Sequence, residues 1–199
     1  MRVNPSYIQL IGDLLIPILG FLFWDWGLYF ILLFILFDTI TFEFFQHVKS
    51  YRIIHENKLS PRNWIIWGGV SFICFSVFLI ILHFAIHFTI PSINFLTELW
   101  LFWSYEDVGI QQGYLLLPIL LFSGYTNYKQ TFLLTNQMKT LTLNQLWLPN
   151  MKQHVIRIGA SVFWLCLASL VTLPITFWVL LVLLSTAAYR WVLLFWRTN

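Results

Sequence analysis

Charge is what this sequence has least of. Asp, Glu, Lys and Arg together make up 10% of its 199 residues, where a soluble domain carries about 25%. So few charges cannot cover a water-facing surface. A soluble globular domain is therefore excluded, and lipid must be the solvent for much of the chain. Cysteine is also scarce: Cys74 and Cys166 are the only two, both inside apolar runs. That excludes a disulfide framework and reads as inert packing. The opening MRVNPSYIQLIGDLLIPILG lacks the basic region and small-residue cleavage site of a signal peptide, so the first apolar run is expected to stay attached. There is no internal repeat and no low-complexity segment. The net charge of +3 is small and spread over several loops, so no nucleic-acid partner is implied.

What is present in quantity is hydrocarbon and aromatic rings. Hydrophobic residues reach 59% and aromatics 20%. Trp24, Trp26, Trp64, Trp67, Trp100, Trp103, Trp191 and Trp196 sit at the ends of apolar runs, as residues that favour the headgroup level do. The runs predict an all-α polytopic membrane protein of six transmembrane helices, a single integral membrane domain over 1–199. The spans fall at about 7–23, 28–47, 64–90, 108–125, 155–173 and 175–196. The apolar stretch 92–105 is too short to cross a bilayer and reads as a half-helix. Segment 131–148, polar but punctuated by Leu and Trp, reads as an amphipathic piece lying on the membrane surface.

The basic residues give this topology its direction. With six spans and the N-terminus inside, all eleven Lys and Arg fall on one side or at the span ends nearest it. The opposite loops hold Asp25, Glu98, Glu106 and Asp107. Positive charge is retained in the cytoplasm, so both termini are expected to be cytoplasmic and the protein to sit in the cell inner membrane.

The stretch Leu28–Asn57 organises the rest. Its first half is pure hydrocarbon; its second half keeps helical residue types but gains Asp38, Glu43, His47, Lys49 and Arg52. At ~100° per residue, Asp38, Thr39, Glu43, Gln46, Lys49 and Ser50 share an arc of roughly 140°. Ionisable groups inside a membrane segment face protein or water. Glu43 lies ~22 Å along its span, and Arg157 and Arg190 lie ~22 and ~24 Å along theirs from the same side. His47 and His154 fall about one turn nearer the cytoplasm; Asp38 lies deeper, near mid-membrane, and Asp13 is intermediate. Asp13, Asp38, Glu43, His47, Arg157 and Arg190 therefore form a candidate polar cluster. It is either an ion-pair network that locks helix packing, with Glu43 paired to Arg157 or Arg190, or a proton or ion path with Asp38 as its working acid.

Two further constellations bear on chemistry. His83 and His87 are four apart on one helix face, a spacing that with a carboxylate would hold zinc or iron. The alternative is a pair of structural histidines bonded to backbone or to Glu106. Ser123-Gly124 on span four, within six spans, resembles the arrangement of rhomboid intramembrane proteases. That chemistry needs a general-base histidine on span six, and ITFWVLLVLLSTAAYRWVLLFW has none.

The order IPILGFLFWDWGLYFILLFILFD, then a histidine-bearing third span, then Phe122-Ser123-Gly124-Tyr125-Thr126-Asn127-Tyr128 and a basic approach to span five, resembles an uncharacterised family of multi-pass bacterial membrane proteins, known only as a domain of unknown function. Asp13 and Asp38 depart from its pattern, which has Asn and Glu near those positions. The resemblance implies a bacterial integral membrane protein and no activity. The expected function is thus a transporter-like module or a subunit of a membrane complex. Its partners would be the bilayer, other membrane proteins or a second copy of the chain, and no cofactor is expected. The alternative is a membrane enzyme acting on a lipid or isoprenoid substrate with a metal at His83/His87.

Overall fold

Apolar runs closed by turn residues become helices here, and the chemistry of the turns sets where each begins. The computed structural model describes residues 15–104, 106–107 and 110–198, with side chains except those of Asp107, Ile110, Gln112 and 189–198. Asp13, and with it residues 7–14 of the first expected span, lies outside the described residues. So does the Arg190 side chain.

The elements are α1 (15–23), α2 (Leu28–Glu56), α3 (Arg62–Thr89), α4 (Phe95–Ser104), β1 (Glu106–Asp107), β2 (Ile110–Gln111), α5 (Gln112–Tyr128), a π-helical turn (Lys129–Leu133), α6 (Gln137–Thr140), α7 (Leu143–Leu170) and α8 (Ile175–Thr198). β1 and β2 form a two-residue antiparallel ladder; everything else regular is helix. Asn94 caps α4, its Oδ1 accepting from the amides of Leu96 and Thr97 at 3.2 Å each, as a short carbonyl side chain does at an N-terminus. Pro61 stands at the start of α3, where its missing N–H costs nothing. Asp25, Lys58 and Asn136 take the left-handed backbone at three of the turns.

Among the described residues, α2, α3 and α7 are long and apolar enough to cross a membrane. The apolar part of α8 described with side chains, Ile175–Ala188, is shorter.

The chain divides into two compact units. The first takes Met1–Asp38, Ile93–Ile119 and Leu173–Asn199. Its core is aromatic: Phe30 meets Trp26 at 4.5 Å and Phe102 at 4.7 Å between ring centroids. The second takes Thr39–Ser92 and Leu120–Thr172. Within it, Trp67 bonds Asn144, Ser71 bonds His154, and Trp164 bonds Thr89. Position numbers rise together on α3 and α7, so these two helices run parallel. Glu43 meets Ser71 and Asn150, whereas His47 meets Trp64 and Trp147, so α2 runs antiparallel to both.

Residues 131–148 contain part of the π-helical turn, α6 and the first turns of α7. Phe132, Leu143, Leu146 and Trp147 close a buried cluster with Ile53 and Tyr128, while Leu134 and Leu148 stay exposed. Thr142 and Gln145 make a capping box, each side chain bonding the other's backbone. This starts α7 at Leu143, well before the Val155 expected for span five. Pro149, inside this helix, costs a backbone bond that the burial of Trp147 and Leu146 offsets.

Candidate functional site

The polar stripe of α2 points into the second unit. Thr39, Gln46 and Ser50 are buried, and Gln46 reaches the Leu146 carbonyl at 3.5 Å. At the centre of the stripe is Glu43. Its Oε2 accepts from Ser71 Oγ at 2.9 Å and from Asn150 Nδ2 at 3.0 Å. Its Oε1 lies 3.3 Å from His154 Nε2 and 3.8 Å from Arg157 Nη1. Three helices thus meet at one carboxylate: α2 supplies the acid, α3 the hydroxyl, and α7 an amide, an imidazole and a guanidinium.

Spacing explains α7's share. Asn150, His154 and Arg157 stand at i, i+4 and i+7, one face of a helix. On α3, Ser71 is reached because Gly68, one turn earlier, lets α2 approach. A Cβ at Gly68 would stand 2.7 Å from His47 Cε1. Gly124 plays the same part between α5 and α2, where a Cβ would meet Phe45 and Thr41 at 2.7–2.8 Å. The Ser123-Gly124 pair is therefore a packing contact.

The cluster is buried. His154 and Asn150 are 0% exposed and Ser71 1%; the Glu43 and Arg157 side chains are 13% and 12% exposed. Ser71 Oγ lies 2.8 Å from His154 Nε2 and 3.3 Å from Asn150 Nδ2. Yet Glu43 Oε1, Asn150 Oδ1 and His154 Nδ1 are buried without a hydrogen-bond partner among the described residues. Buried polar atoms are almost always paired, so unpaired ones mark a site with a use.

Serine, histidine and glutamate in contact suggest a hydrolytic triad, and the geometry excludes one. In a triad the acid holds one ring nitrogen and the serine faces the other. Here Glu43 and Ser71 both stand at Nε2. Ser71 is also too buried to meet a substrate. What the arrangement can do is hold a carboxylate among donors beside an imidazole.

Of the residues expected in the polar cluster, the structure brings together Glu43 and Arg157. His47 lies nearby on α2 but has other company. Trp64 Nε1 donates to its Nδ1 at 3.3 Å, and Trp147 stands edge-on at 5.1 Å. Asp38 is half-buried, five residues before Glu43 and about 140° round the helix from it. His83 bonds the Leu79 carbonyl through Nδ1 at 2.8 Å, and His87 is exposed beside Phe88. Among the described residues no three His, Cys, Asp or Glu gather as a metal would need. Ser71 and Asn150 went unnamed in the sequence reading. The signal for Asn150 was its i, i+4, i+7 relation to His154 and Arg157, hidden by starting the helix at Val155. Ser71 gives no signal, since lone serines are common in apolar helices.

No family model matches this chain, and no match is found among curated proteins or among solved structures.

Proposed function

We propose that this chain is a multi-pass integral membrane protein working as a transporter-like module, whose working site is the cluster around Glu43. The observation that carries this reading is a carboxylate embedded in a candidate membrane helix and held from three helices, with polar atoms beside it that the protein leaves unpaired. Ionisable groups at such positions mark ion and proton paths. The six-span arrangement with both termini cytoplasmic belongs to the same proposal. The directions of α2, α3 and α7 support it, because second, third and fifth spans must run antiparallel, then parallel. Residence in a bacterial inner membrane rests on the one-sided Lys and Arg and on the resemblance in motif order.

Two experiments test the proposal. Protein reconstituted in vesicles with a trapped pH- or cation-sensitive dye should pass a proton or small cation faster than empty vesicles, and Glu43→Gln should abolish the excess. Asp38→Asn should also lose it. Equal leak in all samples would sink the transport reading. For orientation, single cysteines at Asn94 and Asn144 report the two sides to an impermeant thiol reagent on intact cells. Labelling at Asn144 without labelling at Asn94 would reverse the topology.

A further inference from the structure

Hydrogen-bond accounting at the cluster goes further, on the premise that it is the working site. Ser71 has one hydroxyl proton. Glu43 Oε2, a pure acceptor at 2.9 Å, takes it. Ser71 Oγ must then be the acceptor towards His154 Nε2 at 2.8 Å. So Nε2 carries a hydrogen, which points at Ser71 Oγ, while Glu43 Oε1 lies 3.3 Å from the nitrogen. In the neutral ring the other nitrogen, Nδ1, is a bare lone pair. Nδ1 is buried and has no hydrogen-bond partner among the described residues. Elsewhere in the chain a helical histidine satisfies this atom with the carbonyl four residues back, as His83 does with Leu79. His154 does not.

We infer that the species this site binds is a proton, and that His154 carries it at Nδ1. On loading, a hydronium ion from water gives its proton to Nδ1, one N–H bond forms, and the ring becomes an imidazolium with Nε2–H still directed at Ser71. Release reverses the step; no electron moves. The titratable or charged groups facing His154 are Glu43 from α2 and Arg157 from its own helix, while α3 presents the uncharged Ser71. A metal cation fits poorly, because Arg157 stands 3.8 Å from the carboxylate oxygen that would bind it and like charges repel at that range. A proton enters on the imidazole and is compensated by Glu43.

The test is nitrogen NMR of the full chain, labelled with ¹⁵N-histidine and embedded in lipid nanodiscs. Five histidines are present, and the His154 resonances are those lost in His154→Gln. If that variant does not fold, Ser71→Ala serves instead, since it removes the acceptor of Nε2–H, together with that hydroxyl's bonds to Glu43 and Asn150, and should move the same resonance. The expected result is one neutral form at alkaline pH, with hydrogen on Nε2 and bare Nδ1, converting to the doubly protonated ring as pH falls. A His154 that keeps one form at every pH at which the protein stays folded would overturn the inference. So would a neutral form with hydrogen on Nδ1, or a spectrum that answers to sodium at fixed pH and not to pH. The vesicle assay separates the two levels. Conversion of His154 with no flux keeps the proton site and removes the transport reading. Flux with an unchanging His154 does the reverse.

Discussion

His83 and His154 each stand in a long apolar helix, one on α3 and one on α7. His83 spends Nδ1 on the carbonyl of its own helix four residues back. That bond needs nothing from any other element, and a helix supplies it anywhere. His154 turns away from its own backbone and meets a hydroxyl from α3 and a carboxylate from α2. One ring thus holds a carbonyl of its own helix, and the other meets groups that tertiary structure brings to it. The second kind ties one helix to two others through a single side chain.

The largest expected effect breaks the tertiary side of this contrast. Glu43→Gln removes the acceptor that faces Arg157 and His154 and leaves a guanidinium without its counter-charge. Removing one partner of a buried pair costs about 3–5 kcal/mol, and removing both costs much less. Thermal unfolding in mild detergent should therefore show a strong loss for Glu43→Gln and partial recovery in the double variant with Arg157→Gln. A neutral single variant would mean that the stripe of α2 is wet and the network energetically idle.

A smaller effect is expected at Asn150, which donates to both Glu43 and Ser71. Asn150→Ala leaves two buried acceptors short of one donor, worth about 1–3 kcal/mol. It should add less to Glu43→Gln than to the wild type, because the two act in one network. Full additivity in the double variant would show that Asn150 acts independently of Glu43. Smaller again is Thr142→Ala at the start of α7, about 1 kcal/mol for a lost cap. The same substitution should raise amide exchange over Leu143–Trp147 while leaving the cluster's own amides protected. Exchange spreading to His154 would make the cap part of the site.

The legible and the hidden parts of this molecule divide along the same line. The stripe on α2 stood out because charged and amide side chains interrupt hydrocarbon. The Glu43–Arg157 meeting followed from depth along two helices, an arithmetic that needs only 1.5 Å per residue. The buried part of segment 131–148 was not legible, because leucine and tryptophan turned towards lipid look the same in sequence as leucine and tryptophan turned towards Ile53, Tyr128 and Phe132. The two neutral members of the cluster were hidden for a different reason. A serine or asparagine in an apolar helix gains meaning only from what another helix brings opposite it. His47 shows the converse: its charge type and place on the stripe suggested the polar cluster, yet the Trp64 and Trp147 rings claim it.

The smallest expected effect lies at the local side of the contrast. His83 is half-buried and bonds a carbonyl that the helix already engages, and His87 is exposed. Replacing either with Ala should change stability by less than about 1 kcal/mol, since the backbone acceptor keeps its helical donor. The decisive readout is metal content, measured by elemental analysis on protein purified without chelator or affinity metal. A histidine pair at i, i+4 supplies only two ligands, and zinc or iron needs a third from protein. Wild type, His83→Ala and His87→Ala should then carry the same background metal. About one zinc or iron per chain, lost in either variant, would put a metal on this face. The enzyme reading with a lipid or isoprenoid substrate would then displace the transporter.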